Sequence, residues 1–384
     1  MELTTPGPTV GVVGAGQLGR MLGEAAGPLG IEVVALDPTE DPPAAPVVRD
    51  TIAADFDDRE GLRELAERAD VLTYEIELAD ADLLDEVSEA TDTPVHPDTD
   101  TLRTTQDKLR EKEWLDGAGI PVPAFRRVDD AEDLREAGEE LGWPVMLKAR
   151  EGGYDGRGNL PVEGPDEAEA ALDELGGPAL AEAFVPYERE LAVMGVRGAD
   201  GTTTFPVTET VHEEEILREM VAPPRAESDV LARAREVAED VLDSLDGRGI
   251  FGIELFETED GEVLVNEIAP RPHNSGHWTI EGAHTSQFEQ HLRAVLGWPL
   301  GSSDPRGPAV TTNLLGDVDA PEPAVLSGVE SVLETAGASL HWYGKREARP
   351  LRKMGHVTVV GTDDEDADGL LSRARDLRKG VTFR

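Results

Sequence analysis

The stretch Gly252-Ile-Glu-Leu-Phe-Glu-Thr-Glu-Asp-Gly-Glu-Val-Leu-Val-Asn-Glu-Ile268 alternates apolar and polar residues on both sides of Asp260-Gly261. A period of two marks strands with one buried face, and an Asp-Gly pair between two such runs predicts a hairpin with a two-residue turn. In that register Glu259 faces Glu262, Glu254 faces Glu267 and Leu255 faces Asn266. Directly opposed residues have Cβ atoms about 4.5–5.5 Å apart, so two carboxylates meet among apolar neighbours and repel. A divalent cation resolves the conflict. Oxygen ligands from Glu254 and Glu267, with the Asn266 amide beside them, suit Mg2+, which keeps water and phosphate oxygens as its other ligands. The plainer alternative is an exposed acidic hairpin.

The next residues, Ala269-Pro-Arg-Pro-His-Asn-Ser-Gly-His-Trp278, contain no acid in a chain where about one residue in five is acidic. Arg271, His273, Asn274 and His277 are therefore candidates for holding an anionic intermediate. His277, His284 and His291 recur every seven residues, which suggests one helix face rather than a zinc site. Upstream, Pro144–Ala149 reads as an apolar strand carrying Lys148, and Gly152-Gly-Tyr-Asp-Gly-Arg-Gly158 follows it directly. Glycines let successive N–H groups converge on phosphate oxygens. A lysine on an apolar strand is costly without an anionic partner. The pair points to phosphate binding more than to an ordinary turn.

Alternating strands and helices over the first hundred residues imply a parallel sheet. Strands are expected at Thr9–Val13, Ile31–Leu36 and Val71–Tyr74. Between the first two lies Gly14-Ala-Gly-Gln-Leu-Gly19, with Asp37 some 20 residues on. This is the dinucleotide fingerprint, but the same turn serves other phosphates or plain packing. Further on, 102–118 reads as one helix, Pro178–Phe184 and Glu190–Val196 as strands, and Ser228–Leu245 as a long helix. Phe251–Phe256 and Glu262–Ile268 form the hairpin, and Ala309–Leu314 and Val357–Val360 are late strands. The segment 341–356 carries five basic residues and one acid, which suggests a pocket for an anionic small molecule.

Thirty-five basic against 80 acidic residues leave a net charge of −45. Such a field repels nucleic acid and anionic lipid. With 39% hydrophobic residues and regular apolar runs, the charge suggests a halophile's surface rather than disorder. The absence of cysteine excludes disulfides, Cys-based metal sites and a thiol nucleophile. No run approaches the ~18 apolar residues of a membrane span, and Met1–Pro8 lacks a signal-peptide pattern. A soluble cytoplasmic protein is expected.

Together these residues resemble the ATP-grasp superfamily, and within it the N5-carboxyaminoimidazole ribonucleotide synthetases of purine biosynthesis. The resemblance covers nearly the whole chain. It rests on Gly14-Ala-Gly-Gln-Leu-Gly-Arg-Met-Leu22, Gly153-Tyr-Asp-Gly-Arg-Gly158, Asn266-Glu-Ile-Ala-Pro-Arg271, His273-Asn-Ser-Gly-His-Trp278, His341-Trp-Tyr343, Arg352-Lys353 and Gly355-His356. It implies an α/β and α+β architecture, the ATP-grasp fold. A Rossmann-like parallel-sheet domain would cover 1–101, the ATP-grasp domain 102–305 and a small β-rich C-terminal domain 306–384. It implies a carbon–nitrogen ligase that converts ATP, bicarbonate and 5-aminoimidazole ribonucleotide into the N5-carboxylated product, ADP and phosphate through carboxyphosphate.

The resemblance also implies roles. Lys108, Lys148, Gly153, Tyr154, Asp155, Gly156, Arg157, Gly158 and Asn159 would surround the ATP phosphates. Glu182, Ala183, Phe184 and Val185 would line the adenine, Glu190 would take the ribose, and His212 would lie near the nucleotide. Asn266 belongs to this set, and Glu254 and Glu267 would hold Mg2+. Arg271, His273 and Asn274, with Tyr154 and Asp155, would serve catalysis. Gln17, Leu18, Glu75, Tyr154, Asp155, Arg157, Lys345, Arg352 and Lys353 would hold the ribonucleotide. A homodimer is implied. The rival within the superfamily is a formate-dependent glycinamide ribonucleotide transformylase. A rival of another class is an NAD-dependent oxidoreductase built on Gly14–Gly19, and a third is a non-catalytic nucleotide-binding regulator.

Overall fold

The computed structural model describes residues 3–152, 158–362 and 365–383. The first sheet is wholly parallel, in the order Asp50–Ala53, Glu32–Asp37, Thr9–Val13, Val71–Tyr74. Its central strands are apolar on both faces (Val10, Val12, Val13, Val33, Val34, Leu36) because helices cover both sides. The helix Gln17–Ala26 starts directly after the glycine turn and buries Leu18, Met21 and Leu22.

Two antiparallel sheets follow. The smaller has the order Phe125–Val128, Ala179–Ala183, Val145–Ala149, Asn159–Val162, and Lys148 pairs with Leu180 and Asn159. The larger runs from an edge strand, Val263–Ala269, through Gly249–Thr258, Tyr187–Arg197, Thr208–Glu213, Ile216–Ala222, Ala309–Leu315 and Lys353–Val360 to Ala338–Trp342. Three of the strands after residue 305, Ala309–Leu315, Lys353–Val360 and Ala338–Trp342, extend the same sheet, and Lys353 begins one of them, while the remaining four pair in two small two-stranded sheets. The helix Ser228–Ser244 packs Ala234, Val237, Ala238, Val241 and Leu242 against Phe251, Ile253 and Leu255.

Two expected elements change. The single helix over 102–118 is two helices, Thr99–Gln106 and Lys108–Gly117, broken at Asp107. Asp107 is extended (φ −109°, ψ 106°) and its carboxylate caps the second helix by accepting from Leu109 N (3.0 Å). A side chain that competes for backbone N–H groups starts helices better than it continues them. The histidines spaced by seven do not share a helix: of the three, only His291 lies in Gln287–Val295. There it bridges Thr73 Oγ1 (2.8 Å) of the parallel sheet and Ile250 N (3.2 Å) of the large one.

Candidate active site

Glu254 and Glu267 are cross-strand partners, but by a register other than the one the Asp-Gly pair predicts. The turn holds three residues: Thr258 N donates to Glu262 O, Gly261 N donates to Thr258 O, and Gly261 has φ +77°. Leu255 therefore pairs with Val265 instead of Asn266. A bulge at Asn266 then restores the Glu254–Glu267 pairing. Bulges re-aim side chains beside functional sites, and here two successive residues take cationic partners. Lys148 Nζ donates to Asn266 Oδ1 (3.1 Å) and Lys108 Nζ to Glu267 Oε2 (2.6 Å).

The carboxylate conflict is thus not left to a metal alone, as the sequence suggested. Lys108 holds the Glu267 carboxyl well below its usual range, against the opposing effect of burial. Burial, then the Glu267 charge, pushes Glu254 up to about 7, with His212 and Lys353 partly offsetting the rise. Glu254 Oε1 lies 3.5 Å from His273 Nδ1. The pair fits a divalent ion: two opposed carboxylates, Glu254 pushed toward protonation by burial and then by the Glu267 charge, and Glu267 41% exposed. Among the described residues no three His, Asp or Glu side chains form a metal cage, so phosphate oxygens and water would complete the shell, as Mg2+ favours.

Beneath this strand lies a buried ion network. Glu182, expected beside adenine, turns its carboxylate inward to Lys148 Nζ (2.6 Å) and Lys112 Nζ (3.2 Å). Burial alone would raise this carboxyl, but the two lysines hold it down to about 2. Ala183 and Val185 stay half-buried while Phe184 and Tyr187 are exposed. Tyr187 stacks on Phe256 (centroids 5.0 Å apart). Glu190 Oε2 bonds His212 Nδ1 (2.7 Å) and keeps that ring's basicity up despite burial. Gly158 (φ +85°) and Asn159 close the strand pair beside Lys148. Gly153, Tyr154, Asp155, Gly156 and Arg157 lie outside the described residues.

Past the hairpin, Arg271 reaches back to Glu77 (2.6 Å) of the first domain. His273 is fixed through its backbone by Gln287, whose Oε1 accepts from His273 N (2.9 Å) and whose Nε2 donates to His273 O (2.8 Å). Asn274, expected to face an anion, is buried, with its amide paired both ways to Asn313 (2.9 and 3.2 Å). Gln287 and Asn313 carried no sequence signal, because lone amides far along the chain have no spacing to read. Lys112 was visible only as one of six lysines.

The first glycine turn overturns the dinucleotide reading. Its free amides are occupied by the chain itself: Gly16 N and Gly19 N both donate to the Glu75 carboxylate, and Ala15 N donates to Asp37 Oδ2 (3.0 Å). A helix N-terminus favours an anion, and Glu75 is that anion. A Cβ on Gly14 (φ +102°) would stand 2.4 Å from Glu75 Cγ, so glycine is required there. Leu18 points into the core and Gln17 is half-buried. Burial raises Glu75 from 4.5 to about 7, although the two amides pull the other way. A raised carboxyl contributes stability below about pH 4.5 that is lost as pH rises through 7. The melting temperature of wild type minus that of Glu75→Gln, which cannot titrate there, should rise as pH falls from about 8 to about 5. A gap independent of pH would refute the shift.

The basic C-terminal segment is less free than its composition suggests. Arg346 pairs with Asp41 and Arg349 with Glu347 on the surface. Lys345 Nζ donates to Lys353 O (2.6 Å) and Arg352 Nη1 to Glu347 O (2.9 Å). Lys353 is the member whose charge acts on Glu254 and His212. His341 stacks on His356 (centroids 4.4 Å apart) and bonds Glu281 (2.7 Å), while Tyr343 Oη bonds His356 Nδ1 (2.8 Å).

Three family descriptions match in chain order: a ribonucleotide synthetase preATP-grasp domain over 8–106, an ATP-grasp domain over 113–288, and a phosphoribosylaminoimidazole carboxylase C-terminal domain over 309–369. The chain is 42% identical to the N5-carboxyaminoimidazole ribonucleotide synthase of Brucella melitensis, over 92% of this chain and 97% of that one. It superposes on the N5-carboxyaminoimidazole ribonucleotide synthetase of Thermotoga maritima with a TM-score of 0.88 at 42% identity, covering 98% and 99% of the two chains. It superposes on the Aspergillus clavatus enzyme in complex with ADP and 5-aminoimidazole ribonucleotide with a TM-score of 0.89 at 37% identity, covering 98% and 100%.

Proposed function

The chain belongs to the N5-carboxyaminoimidazole ribonucleotide synthase family of ATP-grasp enzymes, and from that premise we propose that it uses ATP to carboxylate 5-aminoimidazole ribonucleotide with bicarbonate. The products are N5-carboxyaminoimidazole ribonucleotide, ADP and phosphate. The observation that carries the reading is the convergence of Lys108, Lys148, Asn266, Glu254 and Glu267 at one bulged strand, with His273 against Glu254.

Phosphoryl transfer asks the protein for positioning and charge neutralisation rather than covalent help. Lys108 and Lys148 exchange their internal partners for phosphate oxygens, which frees Glu267 and Asn266. Glu254, Glu267 and the Asn266 Oδ1 would hold Mg2+, which would supply charge neutralisation on the phosphates. A bicarbonate oxygen attacks the γ-phosphorus and ADP leaves, giving carboxyphosphate. Its collapse to phosphate and carbon dioxide feeds the exocyclic amine of the ribonucleotide, which loses a proton as the C–N bond forms. His273, on a backbone held by Gln287, lies beside the reacting anion. Arg271 keeps its charge at the junction with the first domain through Glu77. Tyr154, Asp155, Arg157 and Lys353 serve the ribonucleotide, with Glu75 beside it. Carboxyphosphate is labile in water, so exclusion of solvent protects it.

The net charge supports action in the cytoplasm of a salt-rich cell, and the family resemblance supports a homodimer. The test is ADP release with each substrate omitted in turn. Turnover should need both bicarbonate and 5-aminoimidazole ribonucleotide. Equal turnover with formate and glycinamide ribonucleotide would favour the transformylase instead.

Lys353→Ala should raise KM for the ribonucleotide by roughly ten- to a hundredfold, the cost of one charge-assisted hydrogen bond, with a far smaller change for ATP. Varying each substrate in turn measures the split. An equal rise for ATP would move Lys353 to the nucleotide side.

A further inference from the structure

The strand Val263–Ala269 ends the large sheet, so its outer N–H and C=O groups have no neighbouring strand. The segment 111–121 serves them instead. Val265 N donates to Pro121 O (2.8 Å). Lys112 Nζ donates to Val265 O (3.0 Å) and Asn266 O (2.8 Å), and Glu111 Oε2 accepts from Ile268 N (3.2 Å). Both side chains are almost fully buried, at 2% and 1% exposure. Lys108, Glu111 and Lys112 lie at i, i+3 and i+4 of one helix and so share a face. That face meets the carbonyls on both sides of the bulge, the next amide, and the Glu267 carboxylate between them.

A bulge leaves one residue outside the ladder. In an edge strand nothing in the sheet forbids it from sliding back into flat pairing, which would reverse the faces of the residues beyond it. We propose that Glu111 and Lys112 are positioning residues that hold this bulge and thereby aim Asn266 and Glu267 at the metal–phosphate group. Neither touches the nucleotide in this role; each acts through the backbone of the strand, and Lys112 in addition pairs with Glu182. A helix with apolar residues here would cover the edge equally well, but it would leave the bulge's carbonyls unsatisfied and its register free. The proposal rests on the reading of Glu267 as a metal ligand.

The test is calorimetric titration with ADP, with Mg2+ and with chelator, on the full chain. Mg2+ should tighten ADP binding to the wild type. In Glu111→Ala that tightening should shrink about tenfold, as expected for one lost hydrogen bond to a buried group, and in Lys112→Met, which loses two, by at least as much. Metal-free ADP affinity should stay near wild type in Glu111→Ala. Glu111→Gln keeps an acceptor for Ile268 N and should restore the tightening. A purely structural role predicts a lower melting temperature with the tightening intact in both variants, and that result overturns the proposal. So does a glutamine variant as impaired as the alanine one. Should Lys112→Met fail to fold, the Glu111 pair decides alone. Glu267→Gln separates the two levels. Intact tightening there overturns the metal reading and the proposal with it. Loss there with normal Glu111→Ala overturns the proposal only.

Discussion

Glu267→Gln leaves a folded protein with ATP turnover reduced by roughly 10²–10³-fold, the scale on which a preorganised charge at a reacting phosphate acts. Glutamine has the size and shape of the carboxylate, so the bulged strand keeps its packing. What disappears is the charge that binds Lys108 and that, in the proposed mechanism, would hold a divalent ion together with Glu254. The second cause of the raised Glu254 proton affinity disappears with it, so Glu254 should titrate lower in the variant. Steady-state ADP release across Mg2+ concentrations measures the first effect, and circular dichroism checks the fold. Near-normal activity at limiting Mg2+ would mean that the carboxylate pair is an internal salt-bridge site and nothing more.

Transfer from about 1 M to about 0.01 M potassium chloride lowers the melting temperature by tens of degrees. The Debye length grows from about 3 Å to about 30 Å over that range. Two like charges about 10 Å apart then repel by roughly 0.4 kcal/mol in water. If every one of the 35 Lys and Arg residues neutralises one of the 80 acids, 45 acids remain without a cation. Each has several like neighbours, so the sum reaches roughly ten kcal/mol or more. At about 2–4 °C per kcal/mol this moves the transition far. Surface pairs such as Arg63–Glu67 and Arg135–Glu169 strengthen at low salt, but each is worth only about 0–1 kcal/mol. Melting scans at three salt concentrations suffice. A constant melting temperature would remove the argument that the charge is an adaptation to salt.

Much of the site was legible because local rules write it into the chain. Alternation on both sides of Asp260-Gly261 puts Glu254 and Glu267 on neighbouring strands, and the scarcity of lysine makes Lys108 and Lys148 conspicuous. Glu254 and Glu267 face each other although the turn is not the two-residue one that Asp260-Gly261 predicts. The three-residue turn shifts the register by one and the bulge at Asn266 shifts it back. Bulges have no reliable sequence mark, since the bulged strand and the flat one share the same alternation.

By itself the sequence determined the parallel first sheet, the hairpin, the strand bearing Lys148 and a surface dominated by acids. Each follows from periodicity, turn chemistry or composition, which act over a few residues or over the whole chain at once. Only the tertiary structure decided which groups are free to act. Glu75 fills the glycine turn from 56–59 positions away, Asn313 takes the Asn274 amide, and Gln287 holds the His273 backbone. Glu182 turns inward to two lysines, and Lys112 closes the edge of a strand more than 150 residues later. The physical reason is that a buried polar group must find its partner wherever the fold brings one. Residues so matched are distant in the chain and obey no spacing.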